Sequence, residues 1–481
     1  MRNNESEILG WPSLYIHGAP PAAVFMLCSP LGSWLLGTRH LATTMVYAQA
    51  SIAYVAILLA LVVSRPEAFV PSTAGAASLA KDSRRATTWS SARAGAAAAG
   101  LEQHCRRRRG VGCGRSRTCM SSSDEHDILL RVAKGEKAER APVWLMRQAG
   151  RYMSAFRKYS DKYPFRHRSE TPEIAIELSL QPWRTFGVDG VIMFSDILTP
   201  LPSMGVDFDV VKGTGPVISN PIRTKADVGA VRVMEDIDGK LPFVGETLKA
   251  LRSETEGKST LIGFVGAPWT LAAYSIEGGS SKHALHTKKM MMEDPALFHS
   301  LMTKLANSIG DYACYQVENG AQVIQVFESW AHQMIPSQFE TFAKPYADLA
   351  MSILKQRHPD VPVIYFANGG SSYLESQRDT QADMISLDQF VNMRSARERL
   401  GASVPVSGNV DPLVLLGPTS GIKEAVRSCV RDAGSSGHIL NLGHGVLQTT
   451  PESSVAALVD SAKEATYASV LDREEAPAPV A

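Results

Sequence analysis

The stretch Gly190-Val-Ile-Met-Phe-Ser-Asp-Ile-Leu198 predicts the fold, because an unbroken apolar run ends there at a carboxylate. Four consecutive apolar residues, Val191 to Phe194, are typical of a parallel strand that is buried on both faces. A buried strand that delivers one acid, Asp196, at its carboxyl end is a common way to build an active site. Asp196 could equally cap the following helix, since Asp is a favoured N-cap residue. The stretch taken alone leaves both interpretations open.

Similar apolar runs recur along the chain and alternate with amphipathic stretches. The other runs are Pro142–Met146, Leu261–Val265, Gln322–Phe327, Val361–Phe366, Met384–Leu387, Val404–Val406 and His438–Leu442. Amphipathic stretches between them include Pro172–Phe186, Pro295–Gly320, Gln338–Arg357 and Gly421–Ala433. Eight strands that alternate with helices predict an α/β protein with a single (β/α)8 TIM barrel. An open doubly wound sheet is the alternative, but no Gly-x-Gly-x-x-Gly motif follows the first run.

Charge is distributed unevenly over the 481 residues. The segment up to Met120 has 13 basic and five acidic side chains, and its net charge is +8. The whole chain carries +1, so the remainder carries −7 and has no general electrostatic reason to bind nucleic acid. We expect a barrel over residues 121–471 and a disordered tail over residues 472–481.

The first 120 residues are predicted to be a targeting region. An apolar segment over residues 46–63 resembles the core of a secretory signal peptide, and a basic, Ser- and Ala-rich tract over residues 69–120 follows it. This two-part pattern resembles the presequences of proteins imported into plastids that extra membranes enclose. Met45 directly precedes the apolar segment and is a candidate for the true start. A single membrane anchor with a linker is the alternative; we expect no stable membrane insertion of the mature body.

The barrel interpretation predicts that functional groups cluster directly after the strands. Polar residues and glycines do follow every apolar run. They include Arg147 and Arg151, Asp196, Thr270 and Tyr274, Glu328 and Ser329, Asn368, Asp388, Ser407-Gly-Asn409, and His444.

Arg147 and Arg151 are candidates to bind anions. They lie four residues apart around Ala149-Gly150, where small side chains allow a ligand to approach free backbone N–H groups. Two guanidinium groups beside such N–H groups suit carboxylates or phosphates, although the arginines could instead bridge surface acids. Only one histidine, His444, follows a strand, and no His and Cys set with metal-ligand spacing converges there, so we expect no metal. No phosphate loop, nucleophile elbow or strand-end lysine is present either, so we expect no organic cofactor.

Five motifs taken together resemble the uroporphyrinogen decarboxylase family. They are Met146-Arg-Gln-Ala-Gly-Arg-Tyr152, Phe194-Ser-Asp-Ile-Leu198, Gly266-Ala-Pro-Trp-Thr270 with Tyr274-Ser-Ile-Glu-Gly-Gly279, Val326-Phe-Glu-Ser329, and Asn441-Leu-Gly-His-Gly445. The resemblance runs from about residue 141 to about residue 460. It implies a (β/α)8 barrel, usually a homodimer, that removes the four acetate carboxyl groups of uroporphyrinogen III without metal or organic cofactor, giving coproporphyrinogen III for haem or chlorophyll.

The resemblance also implies residue roles. Asp196 would stabilise the protonated pyrrole ring. Arg147, Arg151 and the backbone of Gln148, Ala149 and Gly150 would hold peripheral carboxylates, and Arg147 is a candidate to return the proton. Three more residues match family positions that contact substrate side chains and would bind the substrate: Tyr274, Ser329 and His444.

One position departs from the family pattern. Ser160 stands where a further arginine would help to hold carboxylates, and Arg157 or Lys158 could compensate for it.

Two other functions remain as alternatives. A corrinoid-linked methyltransferase would need zinc-binding cysteines at strand ends, whereas Cys314 and Cys429 lie in predicted helices. A non-catalytic tetrapyrrole carrier would bind the substrate without turnover.

Overall fold

A computed structural model describes residues 127–471, so the predicted targeting region and tail lie outside the described residues. Helices and strands alternate along this body. The helices are α1 Ile128–Ala133, α2 Ser154–Ser160, α3 Phe165–Glu170, α4 Pro172–Phe186, α5 Lys225–Ala230, α6 Ile237–Lys240, α7 Pro242–Thr255, α8 Pro268–Glu277, α9 Leu285–Glu293, α10 Pro295–Glu318, α11 Pro336–Gln338, α12 Lys344–Arg357, α13 Leu374–Arg378, α14 Met393–Leu400, α15 Thr419–Ala433, α16 Glu452–Glu464 and α17 Tyr467–Leu471. The strands are β1 Gly190–Ile192, β2 Phe208–Val211, β3 Gly215–Ile218, β4 Thr260–Gly266, β5 Val323–Glu328, β6 Val363–Ala367, β7 Met384–Ser386, β8 Val406–Val410 and β9 His438–Leu442.

Seven parallel strands form the main sheet in the order β1-β4-β5-β6-β7-β8-β9. The predicted first strand, Pro142–Met146, occupies the eighth place but makes only an isolated bridge, between Val143 and Leu440 of β9. Leu440 N–H donates to the Pro142 carbonyl at 2.8 Å, and Asp189 N–H donates to the Val143 carbonyl at 2.8 Å. The segment therefore links both ends of the sheet, and the predicted (β/α)8 architecture is confirmed.

Pro142 and the side chain of Asp189 explain why the segment Pro142–Met146 is not a regular strand. Pro142 has no N–H to donate to a ladder. The N–H of Val143 donates to a carboxylate oxygen of Asp189 at 2.8 Å rather than to a backbone carbonyl. Arg140 binds the same carboxylate with both terminal nitrogens, at 2.8 and 2.9 Å. An ion pair therefore replaces ladder hydrogen bonds where the barrel closes.

Proline accounts for two of the predicted boundaries that differ from the structure. The run predicted as Val404–Val406 begins its ladder only at Val406, because Pro405 cannot donate, and Ser407 to Asn409 then lie inside β8. The helix predicted from Gln338 is divided: a π-helical turn spans Phe339–Ala343, and α12 begins at Lys344 with Pro345 in its first turn. By contrast, α4 and β9 have the predicted bounds.

Apolar side chains from alternating strand positions fill the barrel. Phe327 packs edge-to-face on Phe264 and Phe366, with ring centroids 5.8 and 6.1 Å apart. Helix α1 closes the amino end of the barrel and joins this interior cluster, and Asp127 accepts a hydrogen bond from the hydroxyl of Thr260 at the start of β4. The amino end is thus plugged, and only the carboxyl ends of the strands can hold a cleft.

The antiparallel pair β2–β3 lies between β1 and β4 in the chain and was not predicted. Among residues 127–471, no helix has the length and hydrophobicity needed to cross a membrane.

Candidate active site

Asp196 lies four residues beyond Ile192, the last ladder residue of β1. Its Oδ1 accepts a hydrogen bond from Leu198 N–H at 2.8 Å, so the local turn that an Asp favours does form. Burial raises the pKa of Asp196, while the Leu198 N–H and the charge of Arg147 lower it. The side chain is still partly accessible. Asp196 therefore combines a turn-forming role with a position from which its carboxyl group can reach a ligand.

Arg147 has a positive φ of 60°, which is uncommon for a residue with a side chain. Gln148 explains how the turn is held: its N–H donates to the Leu145 carbonyl, and its side-chain oxygen accepts from Leu145 N–H. The Gln148 amide also donates to the carbonyl of Gly190 at 3.1 Å, so this buried side chain ties the turn to β1. Arg147 itself is exposed.

Gly445 provides the space for Arg147. A Cβ atom at Gly445 would lie 2.3 Å from Cδ of Arg147 and 2.7 Å from its Cγ. The neighbouring Val446 N–H donates to the Met146 carbonyl at 2.9 Å, which fixes this loop beside the turn. The alkyl part of Arg147 thus packs against the backbone of Gly445, and this contact orients the guanidinium group.

Hydrogen bonds from Tyr152 and Arg157 hold the rest of the predicted arginine motif, residues 148–152. The Tyr152 hydroxyl donates to the Gln148 carbonyl at 2.7 Å. Arg157 donates to the carbonyls of Arg151 and Tyr152, each at 2.9 Å, so it braces this loop. Arg151 is exposed, and Ala149 and Gly150 are half-buried.

Three other predicted residues follow strands β4, β5 and β9. Tyr274 on α8 packs edge-to-face on Trp330 with ring centroids 4.8 Å apart, and Ser329 immediately precedes Trp330. Burial raises the pKa of Tyr274. The charge of Asp196 raises it further, and the charge of Arg147 lowers it. Burial, then the charge of Arg147, lowers the pKa of His444 to about 4. The charge of Arg147 therefore affects the pKa of Asp196, Tyr274 and His444, and all four residues lie beyond the carboxyl ends of strands.

Glu328 is a buried acid whose importance the sequence did not reveal. One of its oxygens accepts from the N–H of Thr270 at 2.9 Å and from the Thr270 hydroxyl, and this hydroxyl accepts from Trp330 N–H at 3.2 Å. Burial raises the pKa of Glu328 to about 8. The carboxyl group thus connects α8, which carries Tyr274, to the end of β5, which carries Ser329. Its only sequence signal was its place after an apolar run.

Cys314 and Cys429 lie on helices α10 and α15, as predicted, and both are buried. Within residues 127–471, no three His, Cys, Asp or Glu side chains are grouped so as to hold a metal ion.

Known proteins resemble the body of this chain. The family model for uroporphyrinogen decarboxylase matches residues 124–465. The uroporphyrinogen decarboxylase of Nostoc punctiforme is 51% identical over 352 residues, which cover 73% of this chain and 99% of that protein. The corresponding protein of Synechocystis is 50% identical over 346 residues, covering 72% and 99%. Among solved structures, a methyltransferase from Methanosarcina mazei has a TM-score of 0.60 at 21% identity, covering 70% of this chain and 97% of its own, a likeness of fold alone.

Replacing Glu328 by Gln should change how stability depends on pH. The carboxyl keeps its proton up to about pH 8 in the folded protein but only to its ordinary pKa of 4.5 when unfolded. Its contribution is therefore complete below pH 4.5 and is lost as the pH rises through 8. Between pH 5 and pH 9 we expect the wild type to lose about 2–4 kcal/mol of unfolding free energy relative to Glu328→Gln, measured by urea denaturation. Parallel pH profiles for the two proteins would contradict a buried neutral acid; the exposed Glu398→Gln is the control.

Proposed function

The chain belongs to the uroporphyrinogen decarboxylase family, and we propose that Asp196 and Arg147 carry out the family's reaction in the cleft at the carboxyl ends of the strands. The reaction is the decarboxylation of the acetate side chains of uroporphyrinogen III to give coproporphyrinogen III, a step of tetrapyrrole biosynthesis. The residue assignment is supported by the positions of Arg147, Asp196, Tyr274 and His444 beyond the carboxyl ends of strands, where the charge of Arg147 affects the pKa of the other three.

The chemistry requires a place for an electron pair. Protonation of a pyrrole ring carbon makes the ring a cation that accepts the electrons of the breaking bond between the acetate CH2 and its carboxylate. Carbon dioxide leaves, and the resulting exocyclic methylene takes up a proton to become a methyl group while the ring loses the proton that it had gained. The net change replaces one carboxylate by one hydrogen. The protein has to stabilise the cationic ring and deliver the proton.

Asp196 suits the first task. Its carboxylate is partly accessible but largely desolvated, and a fixed negative charge there would act strongly on a ring cation. The Leu198 N–H and Arg147 favour its ionised form. Pyrrole N–H groups directed at the carboxylate would favour that form further and would fix the orientation of the macrocycle.

Arg147 suits the second task, because it is the charged donor beside Asp196. With Arg151 it would also hold peripheral carboxylates, joined by free backbone N–H groups of Gln148 to Gly150. The Gln148 side chain is occupied within the fold, so only its backbone is available to a ligand. Tyr274, Ser329 and neutral His444 would complete the binding surface as hydrogen-bonding groups. Nη1 of Arg157 already donates to two backbone carbonyls, so this guanidinium group is less available than a free arginine to compensate for Ser160.

We expect Asp196→Asn to lower kcat by at least about 100-fold, because the ring cation loses its counter-charge while the shape of the site is kept. The assay is anaerobic incubation of residues 121–471 with uroporphyrinogen III, followed by oxidation and chromatography of the products. The exposed Asp209→Asn is the matched control. Near-normal turnover by Asp196→Asn would sink the assigned mechanism, whereas a wild type that binds substrate without releasing carbon dioxide would indicate a carrier.

We expect Gly445→Ala to lower kcat/KM about tenfold or more, because the added methyl group would displace the side chain of Arg147. Gly421→Ala is the control, since a Cβ at Gly421 meets nothing closer than 3.9 Å. Equal activity of both variants would show that the placement of Arg147 does not matter.

The protein is also proposed to be a homodimer. Three apolar side chains, Phe390, Leu413 and Leu416, are exposed on the loops that follow β7 and β8, at the same end of the barrel as the cleft. A partner's cleft face would remove them from water. Sedimentation equilibrium of the purified body should then give twice the chain mass, and a monomer at micromolar concentration would refute this proposal.

We further propose that the protein functions in a plastid. The two-part pattern of residues 1–120 supports this location, and relatives at 50–51% identity occur in cyanobacteria, the bacterial group from which plastids descend. A fluorescent reporter fused to residues 45–120 should enter the plastid of an alga whose plastid has extra membranes. A reporter that stays in the cytosol or at the plasma membrane would contradict the proposal, and a fusion to residues 121–200 is the control.

A further inference from the structure

Asp388 follows β7 and has no role in the function proposed above, although its place after a strand made it a candidate in the sequence. Ser329 follows β5, and His444 follows β9. In the sheet, β7 lies two strands from each of these. Asp388 therefore occupies the middle of the part of the rim that separates two of the proposed substrate-binding residues.

The carboxyl group of Asp388 holds the loop after β6. Its Oδ2 accepts a hydrogen bond from the N–H of Gly369. Asn368, the residue before Gly369, donates from its side-chain amide to the Ser329 carbonyl at 3.1 Å. The carboxyl group is thus connected to Ser329 through two adjacent residues of one loop.

The main chain of Asp388 contacts the loops on the other side. The side-chain amide of Asn409 on β8 donates to the Asp388 carbonyl at 2.8 Å. Gly443 lies against the peptide bond between Asp388 and Gln389, since a Cβ atom at Gly443 would be 2.2 Å from the Gln389 nitrogen. His444 follows Gly443 directly, so the position of this peptide bond limits where the His444 loop can lie.

Both oxygens of the Asp388 carboxyl group are used within the fold. Besides the bond from Gly369 to Oδ2, Oδ1 accepts from the N–H of Phe390 at 2.9 Å. Asp388 is only 3% exposed, so water cannot readily replace either bond, and a buried N–H without a partner is costly. We therefore expect Asp388 to affect a ligand through the loops that it holds and not by direct contact.

We propose that Asp388 is a positioning residue for substrate binding, which fixes the distance between Ser329 and His444 across the rim from β5 to β9. The proposal rests on the function proposed above, in which both of these residues contact the substrate. A macrocycle with carboxylates around its edge needs binding groups at fixed distances. Asp196 and Arg147 are held by contacts of their own, so loss of the Asp388 contacts should weaken binding more than it slows the chemical step.

The test compares Asp388→Asn with the wild type in the anaerobic assay with uroporphyrinogen III. An Asn side chain has one oxygen, so its amide nitrogen would face one of the two N–H groups and that bond would be lost. We expect KM to rise about fivefold and kcat to fall less than about twofold. A direct electrostatic role would act in the opposite direction, because removal of a negative charge would lower KM for a substrate with many carboxylates.

Asp383→Asn is the matched control. Asp383 precedes the same strand at the opposite end of the barrel, and its Oδ2 also accepts from a backbone N–H of β6, that of Val363, at 2.7 Å. Both variants should lower the midpoint of urea unfolding, but only Asp388→Asn should raise KM. Asn368→Ala removes the bond to the Ser329 carbonyl and leaves both carboxyl groups in place. It should also raise KM, and it decides the question should Asp388→Asn not fold.

A double-mutant cycle separates positioning from a general loss of structure. If Asp388 acts through Ser329, the variant Asp388→Asn/Ser329→Ala should raise KM by less than the product of the two single increases. An unchanged or lower KM in folded Asp388→Asn would overturn the proposal, as would a full product in the double variant or an equal increase in Asp383→Asn. Failure of the proposed function would look different, since the wild type itself would then release no carbon dioxide from uroporphyrinogen III.

Discussion

The closure of the barrel at Asp189 is the constraint on which the site depends. Its carboxylate accepts hydrogen bonds from both terminal nitrogens of Arg140 and from the N–H of Val143. The backbone N–H of Asp189 donates to the Val143 carbonyl. These bonds hold the irregular segment 142–146 beside β1. Arg147 follows that segment and Asp196 follows β1, so the closing ion pair brings the two proposed catalytic residues together. Because the pair is largely buried, losing one partner would leave an uncompensated charge as well as an open seam.

Burial and neighbouring groups decide which side chains of the site are ionised. Burial keeps Glu328 protonated and His444 neutral near neutral pH, so neither adds a charge of its own beside the reacting ring. Asp196 is also desolvated, but a backbone N–H and Arg147 support its negative charge. The site therefore combines a desolvated carboxyl group, that of Asp196, with the guanidinium groups of Arg147 and Arg151.

Local backbone geometry sets the direction of the key cation. Arg147 has a left-handed conformation, which costs free energy in a residue with a Cβ and persists only where neighbours fix it. The buried side chain of Gln148 and the loop through Gly445 and Val446 provide those contacts. Gln148 thus acts within the fold, although its sequence position suggested contact with a ligand. The distinction matters because a substitution there would be expected to alter the turn before it alters binding.

The sequence by itself determined the (β/α)8 architecture and the family, because a buried strand has a readable apolar run and functional groups follow such runs at one end of the barrel. It also placed Asp196, Arg147, Tyr274, Ser329 and His444 at strand exits. Only the tertiary structure decided that Gln148 turns inward and that Glu328 is a neutral buried link between α8 and β5. These facts depend on contacts between residues that are distant in the chain, and neither hydrophobic periodicity nor residue type records which loops meet when the ring of strands closes.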